Sequence, residues 1–381
     1  MAFLKSSGGP EGFRSLCRLA TQLLPDAPVA TLRLAEEAAV RARAMEQSSR
    51  PWALAQAGEL VFRAGKKDAG RKLIEEAAVL VEPLGHDGLD SYARGMVAGR
   101  VAFYDAAKAR RMIDPIKQSF DFNRWLGYGC VRLAETDLAT AKKWLTDLRP
   151  DNSLVRYSAR QLMAYRLALP NPDEAEKLAV SIEDRSYRAL TLAGLAARIG
   201  PKDRARVVRL IDAALDPIVA DSTGYYANNG GGGGTAALIL YRAKEAGHPD
   251  LAAVRDRVFG ARSAPPDSSY GVGLDPQLRF ALALALTDPA AARRILARAV
   301  PATEYRNIDG WRERDKFVAV AWIDPEGAVT AVDAVLARAV QAKQGYRLTS
   351  LNDLAIALAE PDEPMVTIAR CCGLLWDYEE E

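Results

Sequence analysis

Along most of the chain, apolar residues recur at spacings of three and four, the period of an amphipathic helix. Strict apolar–polar alternation, the pattern of a half-buried strand, is rare. Phe13 to Leu24 illustrates the helical pattern: Arg14, Arg18 and Gln22 interrupt an otherwise apolar segment at helical spacing. Ala, Leu, Arg and Glu dominate, and all four are strong helix formers. The pattern predicts an all-α fold.

The helical stretches are punctuated by one recurring kind of turn. It reads Leu169-Pro-Asn-Pro-Asp173, Thr287-Asp-Pro-Ala290, Ile323-Asp-Pro-Glu326 and Ala359-Glu-Pro-Asp362, with Ala246-Gly-His-Pro-Asp250 as a variant in which Gly247 is the stop. The chemistry of the turn is direct. The residue before a proline is pushed out of the α region, so the first helix ends there. A short carboxylate such as Asp288 or Asp324 accepts from the free backbone N–H groups of the next helix. The proline then suits the first helical position, where its missing N–H costs nothing.

Turns of this kind are predicted near Ala27, Lys67, Ala106, Thr136, Pro172, Pro201, Pro249, Pro289, Pro325 and Pro361. Their mean interval of about 37 residues is that of helical-pair repeats. The pattern resembles the α-solenoid superfamily, TPR-like or HEAT-like, without matching the strict consensus of either. The resemblance implies a right-handed superhelix of antiparallel helix pairs, with about nine to ten units. It also implies a concave face that binds a protein or peptide.

One helical-repeat domain is expected over 1–381, its repeats more divergent over 1–139 and clearer over 140–381. Loops are expected at Asp221–Thr235, Gly260–Gly273 and Gly85–Ser91, projecting from one face of the array. The run Gly230–Gly234 lacks the following Lys-Ser or Lys-Thr and the preceding strand of a phosphate loop, and is read as flexible chain.

Composition narrows the function classes. The 381 residues are 49% hydrophobic and 7% aromatic, too apolar for a disordered chain. Lys and Arg total 51 against 49 acids, a net charge of +2, which argues against a dedicated nucleic-acid binder. No long uncharged apolar run predicts a membrane span, and no leader pattern is seen, so a cytoplasmic location is expected. The adjacent Cys371 and Cys372 read as core filling. The two histidines, His86 and His248, sit in turns, which leaves no Ser-His-Asp or Cys-His constellation and no metal-ligand spacing. No cofactor or metal is expected.

The sequence therefore points to a non-enzymatic scaffold for a protein or peptide partner. An α/α-toroid enzyme acting on a carbohydrate, and a nucleic-acid-binding helical repeat, are the alternatives. The clusters Arg156, Arg160, Arg166 and Arg204, Arg206, Arg209 read as solvated faces and interhelix ion pairs. Arg156, Arg160, Tyr187, Arg188, Tyr225 and Tyr226 are the candidate partner contacts, because Arg and Tyr are enriched where binding energy concentrates.

Overall fold

A computed structural model describes residues 10–24, 27–85, 88–116, 122–149, 153–219, 231–259, 276–307 and 314–341. Among these the chain is all-α, with no strand. No helix among the described residues is long and apolar enough to cross a membrane. The chain divides into two compact units between Arg166 and Leu167.

The first unit contains α1 (Pro10–Leu23), α2 (Pro28–Arg43), α3 (Arg50–Arg63), α4 (Lys67–Val81), α5 (Gly88–Val101), α6 (Ala106–Ile113), α7 (Phe122–Leu133), α8 (Leu138–Thr146) and α9 (Ser153–Leu167), whose last residue lies past the division. The helices pair in chain order, α1 with α2, α3 with α4, α5 with α6 and α7 with α8. The odd-numbered helices also pack on one another in sequence, α1 on α3, α3 on α5 and α5 on α7. This gives two layers, odd and even.

The second unit contains α10 (Pro172–Val180), α11 (Arg185–Ile199), α12 (Arg204–Val219), α13 (Gly231–Glu245), α14 (Leu251–Phe259), α15 (Pro276–Ala285), α16 (Pro289–Ala299), α17 (Arg314–Ile323) and α18 (Pro325–Gln341). Here α11, α13, α15 and α17 pack in series, each also against the helix that follows it.

The predicted turns that fall among the described residues all sit at connections between helices; Pro361 lies outside them. The capping chemistry is the one expected. Asp288 accepts from the Ala291 N–H at 2.9 Å and Asp324 from the Gly327 N–H at 3.2 Å. Asp105, Asp137, Asn171 and Asp250 do the same for α6, α8, α10 and α14. Replacing such a cap costs about 1 kcal/mol, so these side chains help define where α6, α8, α10, α14, α16 and α18 begin. Gly247, with φ 69°, ends α13: its N–H donates to the Lys244 carbonyl and the His248 N–H to that of Ala243. That pairing needs a left-handed residue, which glycine adopts without strain.

Two predicted loops are shorter than expected. Gly231–Gly234 and Thr235 belong to the first turn of α13. Glycine weakens a helix by about 1 kcal/mol per residue, yet burial of Leu238, Ile239, Leu240 and Tyr241 anchors the helix beyond them. Likewise Gly88–Ser91 open α5. There Asp90 accepts from the Gly85 N–H, and the buried Arg94 donates to the carbonyls of Glu82 and Leu84, which terminate the α4 connection. Gly260–Gly273 and Cys371–Cys372 lie outside the described residues.

The even layer is tied by ion pairs, most of them at a sequence separation of 33 residues. Arg43 pairs with Glu76 at 2.6 Å, joining α2 to α4 across 33 residues. Lys108 with Glu75 joins α4 to α6, and Arg110 with Asp147 at 2.7 Å joins α6 to α8. In the second unit Arg206 meets Asp173 and Arg209 meets Glu176, joining α10 to α12, and Arg257 meets Asp216 at 3.0 Å, joining α12 to α14. The residues read as interhelix ion pairs, Arg206 and Arg209, thus form them. Most of these pairs keep at least one well-exposed partner, and each contributes about 0.2–1 kcal/mol, enough to favour one stacking register without holding the fold alone.

The odd layer is closer. Gly95 and Gly99, one turn apart on α5, lie directly under the rings of Trp125 and Tyr128 of α7, where any β-carbon would collide. Both rings are almost fully buried. Gly95→Ala is therefore expected to destabilise the first unit by about 1–3 kcal/mol through overpacking. Urea denaturation followed by tryptophan fluorescence checks this; a midpoint equal to that of the wild type would contradict the packing described.

Candidate functional site

The odd helices α5, α7 and α9 carry the side chains of greatest chemical interest in the first unit. Two neighbourhoods stand out: a half-buried Arg–aromatic cluster and, in the core, a charged network.

The cluster is built from Tyr92 on α5 with Arg124 and Trp125 on α7. The Tyr92 and Trp125 rings meet edge to face at 5.0 Å between centroids. The Arg124 guanidinium lies 5.6 Å from the Tyr92 ring and 5.2 Å from the Trp125 ring. Cation–π contacts of this kind contribute about 0.5–1 kcal/mol at exposed sites, and they hold a half-exposed arginine in one orientation. Gly127 of α7 lies against Val155 and Ala159 of α9, so α9 continues the same layer.

Of the predicted contact residues, Arg156 and Arg160 are half-buried and one turn apart on α9. Tyr187 and Arg188 open α11 in the second unit. Tyr187 is only 4% exposed, and its N–H donates to the capping Asp184 carboxylate at 2.9 Å, so it is part of that unit's core. Arg188 is half-buried and donates to the Ile182 carbonyl at 3.2 Å, bracing the connection from α10. Tyr225 and Tyr226 lie outside the described residues.

The charged network is the feature that sequence reasoning missed. Glu59, in the apolar run of α3, is buried. Both its oxygens lie 3.0 Å from Nη2 of Arg132 on α7, and Oε2 lies 3.1 Å from Nε of Arg100 on α5. Arg63, one turn along α3, reaches to 3.9 Å. Arg132 also donates to the Tyr128 hydroxyl and stacks on that ring, with Cζ 3.3 Å from its centroid. Burial on its own would raise the Glu59 pKa, but Arg132, Arg100 and Arg63 outweigh it and hold the carboxyl down at about 2. Burial lowers the Arg132 pKa against the pull of Glu59. Nearby Cys17, on α1, is pushed up to about 12 by burial, and Cys130 is raised as well, so both thiols stay protonated and unreactive.

Among the described residues no group of three or more His, Cys, Asp or Glu side chains is disposed to hold a metal. No family model, curated protein or solved structure matches the chain.

The network sets a pH dependence. The folded-state pKa of Glu59, about 2, lies below the ordinary value of 4.5. Its stabilising contribution is therefore complete above about pH 4.5 and lost as pH falls toward 2, a change on the order of 3 kcal/mol. Glu59→Gln is expected to be less stable at neutral pH and to lose less stability between pH 5 and pH 3 than the wild type. Parallel denaturation curves at those pH values check it; equal acid sensitivity of the two proteins would remove Glu59 from the account.

Proposed function

We infer that the chain is a non-enzymatic α-solenoid whose stacked odd helices bind a protein or peptide partner. Repeated helix pairs, the 33-residue ion-pair spacing of the even layer and the recurrent Asp or Asn caps support the solenoid reading. In such an array each pair buries its apolar faces against its neighbours, and one helix of each pair lines a continuous surface.

The single observation that carries the binding reading is the half-buried pair Tyr92 and Arg124, braced on the buried Trp125 ring in the odd layer of the first unit, with Arg156 and Arg160 on the next helix of that layer. An arginine held against aromatic rings, as Arg124 is, presents polar and apolar contact area with little conformational freedom left to lose, which is what binding hot spots require. The arginines of the even layer engage acids of neighbouring helices, an arrangement that stacks repeats and neutralises charge rather than gathering phosphates.

A photo-crosslinking amino acid placed at Arg156 or Arg160, in the host cell, is expected to yield a discrete protein adduct that excess unlabelled chain competes away. The same group at Lys72, exposed on the even helix α4, is expected to yield none. Arg124→Ala should weaken the capture about tenfold, the effect of losing a modest hot spot. Equal adducts from both layers would overturn the reading.

A further inference from the structure

Charge is divided unevenly between the two layers of the first unit. Counting each helix with the residue at either end, α2, α4, α6 and α8 carry twelve basic and ten acidic residues. Their cross-helix ion pairs use both signs. On the same count α3, α5, α7 and α9 carry nine basic residues and four acids, and all nine are arginine. Within α7 and α9 themselves there are five arginines and no acid. Arg132 turns inward to Glu59, and Arg166 meets Glu135, beyond the end of α7, at 3.0 Å. The other three, Arg124, Arg156 and Arg160, are half-buried.

These three belong to one strip of the odd layer. α7 and α9 touch where Gly127 lies against Val155 and Ala159. Arg124 precedes Gly127 by three residues, and Arg156 and Arg160 directly follow Val155 and Ala159. Half-buried tyrosines border the strip, Tyr92 beside Arg124 and Tyr157 next to Arg156. Guanidinium groups stay charged at every working pH and pair with carboxylates through two parallel hydrogen bonds. Single-stranded nucleic acids are held largely by bases stacked on open aromatic faces. The Trp125 ring does not offer one: it is 1% exposed, with Tyr92 and Tyr128 packed edge to face against it.

We propose that the segment bound by this layer is an acidic peptide carrying aromatic side chains, its carboxylates paired with Arg124, Arg156 and Arg160 and a ring packed beside Tyr92. The excess of arginine over acid on these helices is the complement of such a segment, and complementary charge selects among partners. This inference rests on the partner-binding reading and names the chemistry of the partner.

The test uses the full chain and a fluorescein-labelled copolymer of glutamate and tyrosine, with binding followed by anisotropy. A copolymer of lysine and tyrosine and an oligodeoxythymidine serve as comparisons. The wild type is expected to bind the glutamate copolymer at least about tenfold more tightly than either, with an affinity that falls as salt is raised. Arg156→Gln combined with Arg160→Gln is expected to weaken that binding about tenfold, and Lys72→Gln to leave it unchanged. The wild-type preference decides the matter even if the double variant fails to fold. Equal binding of the two copolymers, or tighter binding of the oligodeoxythymidine, overturns the proposal. A crosslinked adduct at Arg156 that excess glutamate copolymer does not compete away overturns the acidic chemistry and leaves partner binding standing, whereas absence of any adduct overturns both. Glu379→Gln, Glu380→Gln and Glu381→Gln together are expected to leave copolymer binding unchanged. A tenfold gain would make the chain's own acidic segment the occupant and overturn a separate partner.

Discussion

A carboxylate withdrawn from water on α3 can remain charged only where cations meet it, and Glu59 meets them from two other helices. Arg100 of α5 and Arg132 of α7 converge on its two oxygens. The three odd helices are thereby fixed at one height relative to one another, since sliding any of them by a turn would strand a buried charge. The same register places Gly95 and Gly99 under the rings of Trp125 and Tyr128. Tyr128 then serves as the platform on which Arg132 stacks. Close packing and charge pairing thus demand the same alignment. Net stability comes from the apolar burial around them, because desolvating the ions offsets most of their attraction. What the network adds is the cost of every wrong register.

The two layers solve the stacking problem differently. On the even layer the ion pairs are mostly exposed and individually weak, but most of them repeat from helix to helix at a separation of 33 residues. They bias the stacking without excluding alternatives. On the odd layer of the first unit a single buried network does the excluding. The second unit has no such device among its described residues: its buried side chains are apolar apart from Ser186 and Thr191. There the odd layer relies on small residues, with Ala189, Ala193 and Ala196 of α11 fully buried. Among the described residues, the first unit combines a fixed register with Arg124 packed on the Tyr92 and Trp125 rings, the rigidity that the proposed partner surface would require.

The helix boundaries were legible because they are written in local chemistry. A capping Asp or Asn, with or without a following Pro, acts within four residues, and Asp137, Asp288 and Asp324 do in the structure what their sequence contexts imply. The glycine run that opens α13 reads as loop because propensity is local, whereas the helix is held by tertiary burial of Leu238 to Tyr241. Tyr187 reads as a contact on its type alone; which way it faces depends on how Asp184 starts the helix. The network escaped notice for a different reason. Glu59 and Arg132 are 73 residues apart, and each is a lone charge among small and apolar neighbours. That local context was the one available signal, since a single charge on a buried face needs a partner. Which residue answers it is decided only by the fold.

Glu59 and Arg132 act as one unit across α3 and α7, and a double-mutant cycle measures this directly. Glu59→Gln, Arg132→Met and the double variant would be compared with the wild type by urea denaturation at pH 7. Glu59→Gln leaves two buried guanidiniums without their carboxylate, and a loss of about 3–5 kcal/mol is expected; Arg132→Met leaves Glu59 paired with Arg100 and should lose less. The double variant should lose at least about 2 kcal/mol less than the sum of the two, since residues in one network couple by this order. Losses that simply add would show that the two side chains stabilise the chain independently, and would contradict the account.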